Sequence, residues 1–295
     1  MTTLARTTNG TIEIAYTVDG PPHGEPLLLV MGLGMQMIFW PDGFVAELVA
    51  RGFTVARFDN RDVGLSTHLT GHRPASLPTM LARPAAGAVY DLDDMADDAV
   101  AVLDALDWSS AHIVGASLGG MIAQTVAVRH PSRVRTLTSI MSTPSPRIGR
   151  PRPRALRVLV GHDARDREQA ARRMVRVFRV IGSPGYPHDE AWLREAAAQA
   201  YDRAHDPAGV RRQLAAIAAS GDRRAGLANL RIPALVLHGE ADPLVRPSGG
   251  RATAAAIPGA RLVTYPGMGH DLPGDLWSTF ADEIAALAAT SGNAL

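Results

Sequence analysis

Ile113-Val114-Gly115-Ala116-Ser117-Leu118-Gly119-Gly120 is the stretch on which the reading of this 295-residue chain turns. Its approach, His112-Ile113-Val114, is β-branched and apolar and predicts a buried strand, while Met121 to Val128 (MIAQTVAV) predicts a helix. Between them, Gly115-x-Ser117-x-Gly119 leaves room only for a sharp turn. A chain that leaves a strand, exposes one side chain and enters a helix almost at once strains the exposed residue, and its neighbours must be nearly free of side chain. This is the pattern of a nucleophile elbow. The helix start behind the serine would direct unpaired N–H groups at any negative charge that develops beside it.

Upstream, Thr11 to Val18 alternates apolar and polar as a half-exposed strand does, and Gly20-Pro-Pro-His-Gly24 is a turn. Pro26 to Met31 is a continuous apolar run, the mark of a strand covered on both faces, and it ends in Gly32-Leu33-Gly34. A dinucleotide-binding loop would want a third glycine where Met37 stands; a loop that offers backbone donors to an oxyanion needs only the turn. A helix is expected over Asp42 to Arg51, a buried strand over Phe53 to Phe58, and a helix over Leu92 to Leu106. Asp59 and Asp62 lie in the polar loop between the last two. They read as carboxylates that pair with Arg57 or Arg61 and cap backbone N–H groups, in preference to a paired-carboxylate site. The acids Asp93, Asp94, Asp97, Asp98 and Asp104 read as a solvated helix face.

Downstream, Val134 to Met141 predicts another strand, and Pro144-Ser-Pro146 marks a change of composition. From there to Asn229 the chain holds 17 of its 30 arginines against nine acids, with helical patterns over Arg165 to Val180, Asp189 to Arg203 and Gly209 to Ala219. No apolar strand interrupts them, so 144–229 reads as an inserted helical cap and 1–143 with 230–295 as the core domain. The alternating order resumes with the strand Pro233 to His238, a helix over Gly249 to Ile257, a short strand over Arg261 to Tyr265 and a last helix over Leu276 to Ala289. Strands separated by helices along the chain predict an α/β fold with a mostly parallel, doubly wound sheet.

Composition excludes several chemistries. All 30 basic residues are arginine, so there is no P-loop lysine, Schiff-base lysine or Ser–Lys pair. With no cysteine there is no disulfide, thiolate nucleophile or cysteine metal site. A net charge of +1 gives no footing for nucleic acid or a membrane surface, and 46% hydrophobic residues suffice for a full core. The first residues lack the basic and apolar regions of a signal peptide, and no apolar run reaches the roughly 18–20 residues of a membrane span. The chain is therefore read as cytoplasmic.

A serine needs a base to take its proton, and the base needs an orienting acid. His270 stands in a glycine-flanked loop after the final strand, and Asp242 just past the strand before it; an open parallel sheet gathers its site at such strand ends. His238 and His112 read as packed structural histidines, and Asp271 as too close to His270 in sequence to face it. The order Ser117, Asp242, His270, together with LLLVMGLG, RFDNRDVGLST, HIVGASLGG, LVLHGEADPLV and PGMGH, resembles the α/β-hydrolase superfamily over nearly the full chain. MGLG, the DxRDxGxS loop and PGMGH are similar to the aclacinomycin methylesterase-like bacterial serine esterases. The resemblance implies an α/β-hydrolase fold with Ser117 as nucleophile, Asp242 as orienting acid, His270 as general base and the N–H groups of Leu33 and Leu118 as oxyanion donors. Met31 departs from it, since many relatives have histidine there. Hydrolysis of a carboxylic ester through an acyl-enzyme is the expected activity on a small-molecule ester, with no cofactor or metal and with a homodimer left open. Carbon–carbon bond hydrolysis, cofactor-free perhydrolysis and slow-turnover ligand reception remain alternatives on the same residues. Candidate pocket residues are Met35, Trp40, Met121, Met141, Phe178, Tyr186, Trp192 and Met268.

Overall fold

The computed structural model describes residues 3–83, 87–159 and 163–291. The alternating stretch near the N-terminus forms β2 (Ile12–Asp19), but as half of a hairpin. β1 (Ala5–Asn9) precedes it and pairs antiparallel, Ala5 opposite Tyr16 and Asn9 opposite Ile12. The β1 sequence, ARTTN, carries no apolar run, so backbone pairing at a sheet edge makes it a strand where periodicity gives no sign.

The apolar runs then become the inner strands, with helices between them. β3 (Glu25–Val30), α1 (Asp42–Ala50), β4 (Phe53–Phe58), a short α2 (Leu77–Ala82), α3 (Leu92–Ala105), β5 (Ala111–Ala116), α4 (Leu118–Arg129) and β6 (Val134–Ile140) follow in order. After β6 come α5 (Pro153–Leu159), α6 (Arg167–Ile181), α7 (Glu190–Arg203), α8 (Pro207–Ala219) and α9 (Arg224–Leu227). β7 (Ala234–Gly239), α10 (Ser248–Ala256), β8 (Arg261–Tyr265) and α11 (Trp277–Ser291) complete the chain. Aspartates set several helix starts: Asp91 caps α3 in a capping box with Asp94, and Asp166, Asp189 and Asp206 cap α6, α7 and α8. No helix among the described residues is long and apolar enough to cross a membrane.

Eight strands form one sheet in the order β1-β2-β4-β3-β5-β6-β7-β8, parallel from β4 to β8. β4 lies on one side of β3 and β5 on the other. The strand order therefore reverses there, which opens a crevice at the carboxyl ends of β3 and β5. Strand alternation sends Leu27 and Leu29 to one face with Phe44, Val45 and Leu48 of α1 and Phe280, Ile284 and Leu287 of α11. Leu28 and Val30 face the other way, onto Leu92, Met95, Val102 and Leu103 of α3 and Ile122 and Val126 of α4. Both faces are thus covered, as the continuous apolar runs require.

Two readings of the charged residues need correction. Asp98 does not belong to a solvated face: it is fully buried and takes a bidentate pair from Arg61 at 2.6 and 2.8 Å, with Asn9 donating at 3.0 Å. Nor do Asp59 and Asp62 pair with Arg57 or Arg61. Arg57 turns to Asp19 and Asp42, and Arg61 to Asp98, whereas Asp59 and Asp62 meet Arg203 and Arg212 from the helical segment after β6. Their capping role holds, since Asp59 accepts from the N–H groups of Met37 and Leu65 and Asp62 from that of Leu69.

Candidate active site

Ser117 sits between β5 and α4 with φ at 57°, a left-handed conformation that a side chain strains to adopt. Three contacts hold it there. Its N–H donates to the Ile140 carbonyl at 2.9 Å, and its carbonyl accepts from Ser142 Oγ at 2.7 Å and from the Met121 N–H at 3.2 Å. The flanking glycines are there for space: a Cβ at Gly119 would stand 1.9 Å from the Val30 carbonyl oxygen, and one at Gly115 would stand 2.1 Å from the Gly119 carbonyl oxygen. Asp62 and Met141 also have positive φ, and both line the same cavity as Ser117.

The three residues picked out in the sequence meet. Ser117 Oγ lies 2.9 Å from His270 Nε2, and His270 Nδ1 lies 2.7 Å from Asp242 Oδ2. The other oxygen of Asp242 accepts from the N–H groups of Leu244 and Val245 at 2.8 and 2.9 Å. The carboxylate is thus bonded on both oxygens, and with Asp242 and His270 both buried its orientation is fixed. His238 packs beside it, Nε2 on the Val245 carbonyl at 2.8 Å and 3.7 Å from Asp242, and burial pushes its imidazole below the ordinary value. His112 is likewise internal, bonded to Thr136 and edge-on to Phe53.

Leu118 is the first residue of α4, whose N-cap Ser117 makes no side-chain capping bond, so the helix start is left open toward the serine. Gly32 adjoins Ser117 across the crevice, a Cβ there lying 3.3 Å from that of the serine. Leu33 and Leu118 both line the cavity. Met31, the departure from the family pattern, is buried at the cavity wall; its carbonyl is held by Asn60 Nδ2 at 2.9 Å. Farther along this loop, Gly34 N–H donates to Gln213 Oε1 at 2.8 Å, and Gln36 Nε2 donates to the Ala200 carbonyl at 2.8 Å. Sequence reasoning missed Asn60, Ser142 and Gln213; only the first two gave a signal, as polar residues just beyond strand ends.

The serine opens into a cavity of about 1110 Å³, mostly apolar, walled by both loops and by residues of α6, α7 and α8. Of the candidate pocket residues, Met35, Met121, Met141, Phe178 and Trp192 line it. Trp40, Tyr186 and Met268 do not. Trp40 is fully buried and stacked on Phe44, Met268 is fully buried in the core under α11, and Tyr186 packs on that same core cluster. Asp62, His68 and Asp206 place ligand atoms within 4.8 Å of one another. Both carboxylates are already committed to Arg212, at 2.7 and 2.8 Å, and the tyrosine hydroxyl of Tyr90 also donates to Asp62. The cluster therefore works as an ion-pair tie in which the Arg212 guanidinium bridges the two carboxylates.

A doubly wound sheet that presents a serine at the turn from β5 into α4 has the architecture of the α/β hydrolases. Residues 25–275 match the model of the alpha/beta hydrolase fold family, and the chain belongs to that family and is a hydrolase. It is 32% identical over 290 residues to the rhodomycin D methylesterase DauP of Streptomyces sp. (strain C5), covering 90% of this chain and 92% of that protein. Among solved structures, the enol-lactonase from Burkholderia xenovorans LB400 superposes with a TM-score of 0.73 at 25% identity, over 97% of this chain and all of that one. The esterase RhEst1 from Rhodococcus sp. ECU1013 superposes with a TM-score of 0.76 at 23% identity, covering 99% of each chain.

Proposed function

We propose that this protein is a serine esterase that cleaves carboxylic esters of bulky, mostly apolar acids, methyl esters among them, through an acyl-enzyme. The observation that carries the reading is the unbroken chain Ser117–His270–Asp242, at 2.9 and 2.7 Å, set in the wall of a large apolar cavity. In this mechanism Ser117 Oγ attacks the ester carbonyl while His270 Nε2 takes its proton. Asp242 holds Nδ1–H and balances the imidazolium that forms. The N–H groups of Leu33 and Leu118 receive the oxyanion, a contribution of roughly 2.7–4 kcal/mol per donor in comparable sites. His270 then returns the proton to the leaving alcohol, and water activated by the same ring releases the acid. The helices after β6 act as a cap that walls off the acyl side. The methylesterase relative supports the ester class and the volume of the cavity supports a bulky acyl group.

A fluorophosphonate probe is the direct test, because an activated serine is phosphonylated whatever its natural substrate. Stoichiometric labelling of Ser117 with multiple turnover on esters of bulky acids is the expected result. Cleavage of vinylogous diketones with weak ester turnover would reassign the protein to carbon–carbon hydrolysis. Turnover slower than about once per hour would mark a receptor. Folded protein with an unlabelled Ser117 would overturn the serine reading.

A further inference from the structure

The catalytic pairing explains how the His270 ring is held, but not how its backbone is. Met268 is anchored on the sheet side, its carbonyl accepting from the Ala241 N–H at 2.9 Å. Beyond it the chain changes allegiance. His270 N–H donates to the Ile181 carbonyl at 2.7 Å, and Gly269 N–H donates to Ser183 Oγ at 2.8 Å. Ser183 Oγ in turn donates to Asp271 Oδ1, and Ser183 N–H donates to Asp271 Oδ2 at 3.3 Å. Gly185 N–H donates to the Gly267 carbonyl at 2.9 Å. Among the described residues, no backbone hydrogen bond joins Gly269, His270 or Asp271 to the sheet. The loop that carries the histidine is therefore fastened to residues 181–185, at the end of α6.

The fit is close enough to require glycine at both seams. A Cβ on Gly269 would stand 2.2 Å from the Gly182 carbonyl oxygen, and one on Gly185 would stand 2.8 Å from Gly267 Cα. Ser183 is 1% exposed, so its hydroxyl has no water to exchange with and spans the two backbones as both acceptor and donor. Asp271 is beside the base in sequence, yet its carboxylate bonds to Ser183 in this joint, with His188 Nδ1 at 3.6 Å. Burial raises its carboxyl above the ordinary value, while the bonds from Ser183 act in the opposite direction.

We propose that Ser183 and Asp271 are positioning residues for His270: the segment after α6 sets the backbone of the base through them, so that the base is aligned only when that segment is docked. The proposal rests on His270 being the general base. It follows from geometry, because the ring is held at both nitrogens, by bonds of 2.9 and 2.7 Å, and a backbone free to shift cannot keep both. Ser183→Ala removes the acceptor of Gly269 N–H and one of the donors to a buried carboxylate, leaving only the Ser183 N–H bond across this joint to Asp271.

The test is steady-state hydrolysis of p-nitrophenyl acetate, whose short acyl group does not fill the cavity, with rates normalised to sites titrated by a fluorophosphonate. Ser183→Ala is expected to lower kcat per titrated site roughly ten- to a hundredfold, as small misplacements of reacting groups do. KM should stay within about twofold, and the rate of phosphonylation should fall in parallel. Ser183→Thr, which keeps the hydroxyl, should recover most of the rate. A Ser183→Ala protein with wild-type kcat per site, or one whose loss lies wholly in the number of titratable sites, would overturn the proposal. Should Ser183→Ala not fold, Asp271→Asn decides in the same assay: a fall in kcat per site supports the joint and an unchanged kcat overturns it. His270→Ala is the control on the underlying mechanism, because full activity there would remove the base itself, whatever Ser183 does.

Discussion

At Ser117 the backbone does as much as the side-chain partners, because a φ of 57° is what turns Oγ out of the sheet toward His270. Ser117→Ala and His270→Ala are each expected to lower ester turnover by about 10⁴–10⁶-fold, since nucleophile and base act as a unit. A progress curve on an activated ester, with circular dichroism to confirm folding, measures this; a variant keeping a tenth of wild-type turnover would refute the assignment. Gly119→Ala attacks the same geometry from the backbone. Its methyl would collide with the Val30 carbonyl at 1.9 Å, a contact that only movement of β3 or α4 relieves. Loss of activity with a fall in thermal midpoint is expected, and a variant as stable and active as wild type would count against the tight elbow. These residues were legible because a sharp strand-to-helix turn is a local demand that the sequence must meet in place. Asn60 and Ser142 show in the sequence only as polar residues just beyond strand ends, because the carbonyls they reach, of Met31 and Ser117, are distant in sequence.

Among the elements, the helices after β6 are fastened to the core by buried charge. Arg212 of α8 is 1% exposed and takes both oxygens of Asp62, at 2.8 and 2.7 Å, along with Asp206. Arg203 of α7 reaches Asp59. The arginine excess of this segment is thus partly internal. The extents of α6, α7 and α8 were legible from periodicity and those of the short α5 and α9 were not, while ion partners more than a hundred residues apart leave no local trace. Arg212→Ala strands a buried Asp62 without its counter-charge, which is expected to cost about 3–5 kcal/mol. Urea unfolding would show this as a lower midpoint. Adding Asp62→Asn should recover part of the loss, because the uncompensated charge is then gone. Strict additivity of the two substitutions would argue that the pair is not coupled.

For the molecule as a whole, the order of strands and helices predicted the doubly wound parallel sheet. Continuous apolar runs at β3, β5 and β7 can be covered only from both faces, and helices must lie between parallel neighbours. Which apolar residues stop at the core and which reach the cavity was less legible, because Trp40 and Met121 look alike until packing separates them. The same packing fixes how stability responds to pH. Burial in β5 pushes the His112 imidazole down from its ordinary value near 6.5 to about 4, and the charge of Arg135 acts the same way. The unfolded chain therefore binds a proton at this site that the folded chain refuses. Stability is fully present above about pH 6.5, falls as pH drops through the window to about 4, and is independent of this group below it. The span corresponds to about 3 kcal/mol at roughly 1.4 kcal/mol per pH unit. His238, also lowered by burial, acts with the same sign, whereas the raised carboxyl of Asp271 acts with the opposite one. His112→Asn isolates the first contribution: the amide can still bond Thr136 Oγ1 but cannot titrate in this range. Between pH 7 and 4.5 the wild type should lose roughly 2 kcal/mol more than the variant in urea unfolding. Parallel pH profiles for the two proteins would show that the imidazole is not held neutral inside the sheet.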